Sequence, residues 1–568
     1  MLPVVPGSYH LQNYEEACRR FDWQDVEKEF SWFSSGKVNM AHECIDRHAD
    51  SHRKDKLAFI FHDDFRTVKY SYADFRKVTN QAANMLQSFG VGKGDRVFLF
   101  MPRSPELYIA AMGAIKLGAI IGPLFEAFME SAIKDRLLDS GAKAVVTVPE
   151  LADRIPVDQL PDLELIFVVG DSKAISEKQI DFNQEMKKAS SDFDVVWVDR
   201  HDGMLIHYTS GSTGKPKGVL HAHNAMIQHL QTGKWVLDLR EDDIYWCTAD
   251  PGWVSGTSYG MFAPWLLGAT SLVLGGRFNP DKWYHALEAF HVTIWYSAPT
   301  AFRMLMGADQ AMLKTRDLSA LRHILSVGEP LNPEVIKWGM ETYGLRIHDT
   351  WWMTETGAHM ICNYPCMDIR PGSMGKPIPG IEAAIVDDAG QELPAGTLGN
   401  LAIRKGWPSM MKAIWQDEEK YNSYFINDTW YVTGDSAHMD EDGYFWFHGR
   451  VDDVILTAGE RVGPFEIEST LLEHPAVAEA GAIGKPDSLR GQIIKVFIAL
   501  NTGYEPSDEL KKSIVAYVRT KLAAHAYPRE LEFVDRVPKT RSGKVMRRVL
   551  KAIELGLPVG DLSTLETE

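Results

Sequence analysis

The sequence predicts an α/β protein with a large N-terminal domain of several subdomains, built on parallel-rich sheets flanked by helices, and a small α+β C-terminal domain. Short apolar runs recur between helical stretches, at 95–102, 143–148, 163–170, 203–209, 269–276, 292–299 and 321–330. Continuous Val, Ile, Leu and Phe runs are typical of strands that are buried on both faces. Alternating strands and helices favour parallel sheets with helices on both sides.

The helical stretches carry their own start and stop signals. In SPELYIAAMGAIKLG, Pro105 stands near the predicted start and Gly118 lies just past the end. Proline suits the first turn of a helix and glycine suits the position after its last turn. The stretch therefore predicts a helix between two buried strands.

A domain boundary is predicted where glycines and charges cluster, between Gly443 and Gly463. A second, smaller α/β pattern follows, with strand-like runs at 479–487, 494–500 and 530–538 and a helical stretch at 507–523. We place the boundary near Asp452. The predicted domains are 1–451 and 452–568, and both sizes suit independently folding units.

Composition excludes several classes of protein. The chain has 568 residues, of which 45% are hydrophobic and 24% charged, and a net charge of −17. These proportions are ordinary for a globular protein, and the acidic balance argues against a general nucleic-acid or anionic-membrane binder. Five cysteines do not make a disulfide framework, and no apolar segment suggests a secretion signal or a membrane span. We expect a cytoplasmic protein without nucleic-acid or membrane partners.

A loop rich in glycine, serine and threonine predicts a polyphosphate site. It lies between a strand-like and a helix-like run in YTSGSTGKPKGVLHAHNAMIQHL, at 208–230. Backbone N–H groups of glycines and side-chain hydroxyls can wrap phosphate oxygens, and lysines add positive charge. Pro216 excludes the Walker A register, and a polar surface loop is the simpler alternative. The predicted phosphate contacts are Thr209, Ser210, Gly211, Ser212, Thr213, Gly214 and Lys217.

Six motifs in a fixed order carry a family resemblance. They are TSGSTGKPKG, SVGEP (326–330), DTWWMTETG (349–357), YVTGD (431–435), GRVDD (449–453) and PKTRSGK (538–544). The chain resembles the acyl-adenylate-forming (AMP-binding) superfamily, which contains acyl-CoA synthetases, luciferases and peptide-synthetase adenylation domains. WCTADPGWVSG (246–256), DTWW and PKTRSGKVMRR are similar to the acetyl-CoA synthetase group, in its shorter bacterial form. The resemblance covers nearly the whole chain.

The resemblance implies a nucleotide site that simple chemistry also supports. Trp351 offers a flat face for adenine, Glu355 can hold the Mg²⁺ of ATP, and Asp435 can accept from both ribose hydroxyls. Position 353 is methionine, where the acetyl-CoA synthetases usually have glutamine. Besides the loop, the implied ATP contacts are Gly328, Glu329, Pro330, Asp349, Thr350, Trp351, Trp352, Met353, Thr354, Asp435, Arg450, Arg461 and Lys544.

Lys544 is the predicted catalytic residue, together with Lys217 and Glu355. Attack of a carboxylate on the α-phosphate brings two anions together, and a lysine between them offsets the repulsion. The family rotates its C-terminal domain between two half-reactions, and Asp452 resembles its hinge residue. A solvated lysine and a loop aspartate are the simpler alternatives.

The second half-reaction needs CoA, whose thiol is the nucleophile. The implied CoA contacts are Ser255, Asn279, Ala458, Gly459, Arg461, Arg519 and Arg154. Backbone carbonyls near Leu472, His474 and Val477 match a family cation site, and a plain helix end explains them equally well.

The acyl pocket implied by the resemblance consists of Val254, Ser255, Val327 and Trp352. A tryptophan indole would close the pocket after a very short chain, so acetate should be preferred, propionate tolerated and butyrate poor. The implied activity is AMP-forming acetate–CoA ligation through acetyl-adenylate. The alternatives are a ligase for propionate or another short acid, and a nucleotide-binding pseudoenzyme. An acetyltransferase and a deacetylase acting on Lys544 are possible regulatory partners.

Overall fold

Four β-sheets organise the described residues of the chain in this computed structural model. The structure describes residues 1–170, 179–210, 216–313, 315–457, 460–487, 490–522, 527–540, 543–559, 562 and 565. Three sheets belong to the N-terminal part and one to the C-terminal part. This arrangement confirms the predicted fold class.

The first sheet has eight strands and carries the start of the phosphate loop. Its strands, in spatial order, are Ala413–Ile414, Pro216–Ala222, Gly203–Ser210, Ile120–Leu124, Arg96–Phe100, Ala144–Thr147, Leu165–Val168 and Gln179–Asp181. The strands from Gly203–Ser210 to Gln179–Asp181 run parallel, and the pairing of Gly203–Ser210 with Pro216–Ala222 is antiparallel.

The second sheet has nine strands and its central strands are also parallel. In spatial order they are Lys376–Pro377, Ile361–Cys362, Ile347–Trp351, His323–Ser326, Ile294–Ser297, Ile244–Cys247, Thr270–Leu274, Leu57–His62 and Thr67–Ser71. Each apolar run that the sequence analysis singled out in the N-terminal part forms one of these strands or one of the first sheet.

Two smaller sheets complete the chain. The third contains Ala383–Val386, Gly399–Arg404, Trp430–Met439 and Phe425–Ile426, with Phe445–Arg450 paired to Trp430–Met439. The C-terminal sheet contains Glu460–Val462, Ile455–Thr457, Gly491–Leu500 and Val477–Asp487, with Glu530–Phe533 paired to Gly491–Leu500. The C-terminal sheet is mostly antiparallel, which agrees with the predicted α+β domain.

Helices cover these sheets. The longer ones are Tyr72–Ser88, Pro105–Lys116, Glu130–Ser140, Met226–Trp235, Pro280–Ala289, Pro299–Met306, Pro333–Tyr343, Pro464–Leu472, Asp508–Lys521 and Arg547–Leu555. Shorter ones are Tyr14–Arg20, Trp23–Glu27, Trp32–Ser35, His42–Asp46, Arg47–Ala49, Pro149–Ala152, Val157–Gln159, Phe182–Lys188, His223–Ala225, Val254–Thr257, Ser258–Phe262, Ala263–Leu266, Gln310–Leu313, Glu418–Asn422 and Val451–Asp453. In the part of the chain that the structure describes, no helix combines the length and apolar character that a membrane crossing needs.

Two helices, Tyr72–Ser88 and Pro105–Lys116, form a layer between the two large sheets. Their apolar faces share one buried cluster with side chains of both sheets. Ser71 begins the first helix with a capping box, and Pro105 occupies the first turn of the second. The helices approach so closely that a Cβ on Gly113 would lie 2.6 Å from Cβ of Ala82. A side chain at position 113 would clash with the first helix, so the close approach of the two helices requires glycine.

One charged pair lies within this layer. Lys116 is fully buried, and its Nζ atom lies 2.6 Å from Oδ1 of Asp46 and 2.5 Å from Oδ1 of Asn80. A buried charge is tolerated only when it is paired and hydrogen-bonded. The pair therefore makes the layer sensitive to the loss of either partner.

We predict that Lys116→Met lowers the free energy of unfolding by about 3–5 kcal/mol, because Asp46 would keep a buried and uncompensated charge. Urea unfolding followed by tryptophan fluorescence measures the change. Lys28→Met is the matched control, since the Lys28–Asp25 pair is exposed and its loss should leave the midpoint nearly unchanged. Equal midpoints for the two variants would contradict the prediction.

Candidate active site

A cavity of about 1410 Å³ lies at the carboxyl ends of the parallel strands of the second sheet. Loops that follow Ile244–Cys247, Ile294–Ser297 and His323–Ser326 line it, and residues of the C-terminal domain line its other side. Ligands of α/β proteins commonly bind at this end of the sheet. Nineteen of the residues predicted from the sequence line this one cavity: Arg154, Thr209, Val254, Ser255, Val327, Gly328, Glu329, Pro330, Asp349, Thr350, Trp351, Trp352, Met353, Thr354, Glu355, Asp435, Arg450, Leu472 and Lys544.

Asp435 is held by two donors in the wall of the cavity. Arg450 Nη1 donates to Asp435 Oδ1 at 2.8 Å, and Trp351 Nε1 donates to Oδ2 at 2.9 Å. Antiparallel pairing of Trp430–Met439 with Phe445–Arg450 places Asp435 opposite Arg450. The carboxylate is therefore fixed in orientation, beside an indole and a guanidinium that also line the cavity.

Asp349 lies on the same wall and is buried. Burial raises the pKa of Asp349 to about 7, although the backbone N–H groups of Thr350 and Leu331 counteract the shift by donating to the carboxylate. Near neutral pH this carboxyl group can therefore donate a hydrogen bond as well as accept one.

Glu355 and Lys217 lie near the start of the phosphate loop. Glu355 is buried, and the hydroxyl of Tyr424 donates to its Oε1 atom at 3.4 Å. Burial and the charge of Lys420 lower the pKa of Lys217, and Glu355 opposes this shift. Two ammonium groups beside one carboxylate make this corner suited to an anion that arrives with a divalent cation.

Lys544 reaches the cavity from the C-terminal domain. Its side chain lines the cavity and is exposed to the solvent there. Burial and the nearby charge of Arg450 lower the pKa of Lys544, whereas Asp435 raises it. Lys544 thus faces the same Asp435–Arg450 pair that lies on the wall of the large domain.

A tight turn brings Lys544 to this position. Gly543 has φ +90°, and its N–H donates to the carbonyl of Thr540 at 2.7 Å. A Cβ at Gly543 would lie 1.8 Å from Oγ1 of Thr300 on the large domain. The turn needs glycine both for its backbone conformation and for this close approach.

Trp352 forms part of the opposite wall. Its Nε1 donates to the hydroxyl of Tyr296 at 3.3 Å, and its ring meets that of Tyr259 edge-to-face at 5.1 Å. The Tyr296 hydroxyl also contacts Oγ1 of Thr350 at 2.7 Å and Nε2 of His359 at 2.9 Å. The indole is therefore braced from two sides.

Several of the other predicted contact residues lie away from the cavity. Among the residues that the structure describes, Lys217, Asn279, Arg519, Asp452, His474 and Val477 do not line the cavity. Asn279 caps the helix Pro280–Ala289 by accepting from the N–H of Lys282, and Arg519 is exposed beside the ring of Tyr527. Arg154 does line the cavity, and its guanidinium donates to the carbonyl of Glu126 at 3.1 Å.

The predicted cation site lies where the helix Pro464–Leu472 ends. The N–H of Val477 donates to the carbonyl of His474 at 2.9 Å, and Asn501 Nδ2 donates to the carbonyl of Val477 at 3.2 Å. Both carbonyls thus serve the ordinary hydrogen bonding of a helix end. Cation binding here stays a prediction.

Some predicted contacts lie outside the described residues. These are Gly211, Ser212, Thr213, Gly214, Ala458 and Gly459, together with the side chains of Ser210 and Arg461.

Comparison with known proteins decides the family. The model of the family "AMP-binding enzyme" matches residues 45–415, and that of the "AMP-binding enzyme C-terminal domain" matches residues 466–544. The chain belongs to the AMP-binding enzyme family. It is 64% identical to an acetyl-coenzyme A synthetase of Bacillus subtilis over 100% of this chain and 99% of that protein. A Methanothrix soehngenii acetyl-coenzyme A synthetase is 42% identical, over 98% and 89%.

Solved structures of AMP-binding enzymes share the fold. A crystal structure of the anthranilate CoA ligase AuaEII in complex with anthranoyl-AMP superposes with a TM-score of 0.84 and 32% identity, covering 92% of this chain and 98% of that one. A Brucella canis acyl-CoA synthetase gives a TM-score of 0.75 and 34% identity, covering 96% and 99%. The chain is thus a ligase of this family, as the sequence analysis predicted.

The sequence analysis missed other charged side chains that line this cavity. Arg303 donates to Glu329 at 2.7 Å, and Asp250 lies in the cavity wall near Arg103. Burial raises the pKa of Asp250 to about 6, against the charge of Arg103. Asp250 stands in the quoted segment WCTADPGWVSG, so its motif was a usable signal. Arg303 lies in an ordinary helical stretch without such a signal.

Buried histidines brace the segment that carries Thr354 and Glu355. Nε2 of His221 lies 2.7 Å from the carbonyl of Thr354, and Nε2 of His229 lies 3.0 Å from that of Gly357. Burial lowers the pKa of each of the two imidazoles to about 4. Both rings are therefore neutral at pH 7. Because a carbonyl can only accept, the Nε2 atom of each ring carries the hydrogen, and this fixes the tautomer of both histidines.

We predict that these histidines make the protein less stable as the pH falls from about 6.5 to about 4. In this range the unfolded chain binds a proton that the folded imidazole rejects, so each histidine costs about 1.4 kcal/mol of stability per pH unit. Urea unfolding at several pH values gives the free energy of unfolding as a function of pH. For His221→Gln the slope of this plot should be smaller than for the unchanged protein by about 1.4 kcal/mol per pH unit, which corresponds to one proton. Identical slopes would contradict the assignment of a neutral, buried His221.

Proposed function

We propose that the protein is an AMP-forming acetate–CoA ligase, in which acetate, ATP and CoA give acetyl-CoA, AMP and diphosphate. The observation that carries the proposal is that Lys544, the Asp435–Arg450 pair and Trp352 line one cavity. The full-length similarity to acetyl-coenzyme A synthetases supports acetate as the acid. The cavity thus combines three features. The proposed nucleotide contacts, which include Glu329, Asp435 and Arg450, form what we call the nucleotide wall. The other two features are the ammonium group of Lys544 and a short acyl pocket at Trp352.

In the first half-reaction, a carboxylate oxygen of acetate attacks the α-phosphorus of ATP. The bond from that phosphorus to the bridging oxygen breaks, and diphosphate leaves with the electron pair. Acetate is already ionised near neutral pH, so no general base is needed. Lys544 would lie between the two anions and stabilise the charge that grows in the transition state. Asp435 would hold the ribose hydroxyls, and Trp351 the adenine ring.

The residues present fit the Mg²⁺ that accompanies ATP. Glu355 offers one buried carboxylate beside Lys217, and in the described part of the chain no group of three or more metal-ligating side chains occurs. Mg²⁺ is commonly bound by one or two carboxylates with phosphate and water oxygens. When bound, the ion would neutralise the polyphosphate, and Glu355 would hold it in place.

In the second half-reaction, the CoA thiolate attacks the acetyl carbonyl, and AMP leaves. We propose that the domain 452–568 rotates about Asp452 against the domain 1–451 to replace Lys544 by CoA contacts. In the present arrangement, Lys551 Nζ donates to the carbonyl of Asp452 at 3.1 Å and pairs with Asp453 at 3.2 Å. These two contacts are exposed or partly exposed polar bonds, which a rotation can exchange for water at low cost.

We further propose a cytoplasmic setting and regulation by reversible acetylation of Lys544. The cysteines that the structure describes are free thiols, which suits a reducing compartment. Acetylation would remove the charge on which the first half-reaction depends.

A series of straight-chain acids tests the substrate. With ATP, Mg²⁺ and CoA, we expect AMP release to be highest with acetate, lower but measurable with propionate, and poor with butyrate, because each added methylene is forced against the packed indole. Trp352→Gly should move the maximum to longer acids, because it removes the braced indole. A maximum at butyrate in the unchanged protein would overturn acetate as the substrate.

Separate assays of the two half-reactions test the proposed role of Lys544. Lys544→Ala and Lys544→Gln should each lower acetate-dependent ATP–diphosphate exchange by about 100-fold or more, because the charge between the two anions is lost. Formation of acetyl-CoA from supplied acetyl-adenylate and CoA should change little. Equal losses in both half-reactions would contradict the role given to Lys544.

A further inference from the structure

Arg303 lies on the helix Pro299–Met306, lines the cavity and makes three hydrogen bonds. Its Nη2 atom donates to Glu329 Oε2 at 2.7 Å and to Thr300 Oγ1 at 2.6 Å, and its Nη1 atom donates to Asn332 Oδ1 at 3.1 Å. Three donors in one plane are a property of the guanidinium, which a lysine cannot reproduce.

One partner of Arg303 belongs to the nucleotide wall. Glu329 lines the cavity within the SVGEP motif, next to Gly328, whose φ is +94°. The Arg303 bond engages only one carboxylate oxygen of Glu329. The other, Oε1, is buried and has no hydrogen-bond partner among the described residues. A buried acceptor without a partner is costly, so the orientation of Glu329 depends on the bond that Arg303 donates to its other oxygen.

The other two partners of Arg303 meet the C-terminal domain. Asn332 Nδ2 donates to Ser469 Oγ at 2.8 Å, on the helix Pro464–Leu472. Thr300 lies against Gly543, the residue directly before Lys544. Arg303 thus holds Asn332 and Thr300 in place. These are the two large-domain side chains that contact Ser469 and Gly543 of the C-terminal domain.

We infer that Arg303 is a positioning residue that couples the nucleotide wall to docking of the C-terminal domain with Lys544 in the cavity. One guanidinium orients Glu329 toward the nucleotide, and it holds Asn332 and Thr300 where Ser469 and Gly543 meet them. The first half-reaction depends on this arrangement, and the second does not, because the C-terminal domain has then moved. The inference rests on the proposed function and adds a residue to it.

The test measures the two half-reactions of Arg303 variants in the full-length protein. Arg303→Met should lower kcat of acetate-dependent ATP–diphosphate exchange by about 30-fold or more, because the wall and the docking face lose their shared donor. Arg303→Lys should fall between this variant and the unchanged protein. Formation of acetyl-CoA from saturating acetyl-adenylate and CoA should stay within about threefold of the unchanged protein.

Two further variants separate coupling from a general loss of structure. Arg316→Met removes another arginine of the large domain, which pairs with Asp281 and Glu288, and it should leave the exchange rate unchanged. Ser469→Ala removes only the interdomain hydrogen bond, and we expect about a threefold to tenfold loss of exchange. Because Arg303 and Ser469 act through Asn332, the double variant Arg303→Met/Ser469→Ala should lose less than the product of the single losses.

The outcomes distinguish this inference from the proposed function. If the unchanged protein shows no acid-dependent exchange, the proposed function fails. If it does show exchange, then equal losses of Arg303→Met in both half-reactions, or independent losses of Arg303→Met and Ser469→Ala, overturn the coupling role. Should Arg303→Met fold poorly, the comparison of Arg303→Lys with Ser469→Ala decides the question in the same way.

Discussion

The arrangement of the site depends on one electrostatic constraint. A protein with a net charge of −17 has to hold a polyphosphate and a carboxylate together in one cavity. The cavity meets this constraint locally, with Lys544 and Arg450 facing the same space and Lys217 near the loop. Several of its carboxylates are paired with cations, Asp435 with Arg450, Glu329 with Arg303 and Glu468 with Arg547. An anion entering the cavity therefore meets fixed positive charge, although the protein as a whole repels it.

Docking of the C-terminal domain follows from the same constraint. In the proposed mechanism, Lys544 has to enter for one step and leave for the next, so its attachment cannot rest on a large apolar contact. The described contacts at this interface are small ones: the Asn332–Ser469 hydrogen bond, the glycine turn on Thr300, a 3.5 Å contact between His448 and Glu466, and one edge-to-face contact between Phe447 and Phe465. A hydrogen bond such as that of Asn332 contributes only about 1 kcal/mol, because water replaces it when it breaks. Such an interface is specific in geometry and still reversible.

The fold was largely predictable from the sequence, and the support of the site was not. Buried strands such as Arg96–Phe100 and Ile294–Ser297 are continuous apolar runs, so their positions could be predicted within one or two residues. The short strands of the third sheet, such as Phe425–Ile426, have too few residues to show the sequence pattern from which a strand can be predicted. The roles of Arg303 and His221 arise from contacts with residues far along the chain, which no local pattern records. Contacts on the residues 211–214 and 458–459 remain predictions.

Under the proposed function, Trp352 selects a short acid by excluding longer ones rather than by attracting acetate. Each additional buried methylene would gain about 0.8 kcal/mol, so an open pocket would favour longer acids. Forcing a methylene against a packed side chain costs about 1–3 kcal/mol, which outweighs the gain only if the side chain cannot move. Tyr296 and Tyr259 supply that rigidity, through a hydrogen bond and an edge-to-face contact. Under the proposed function, Tyr296 and Tyr259 therefore contribute to specificity together with the indole, because a loosely held tryptophan would give way to the longer chain.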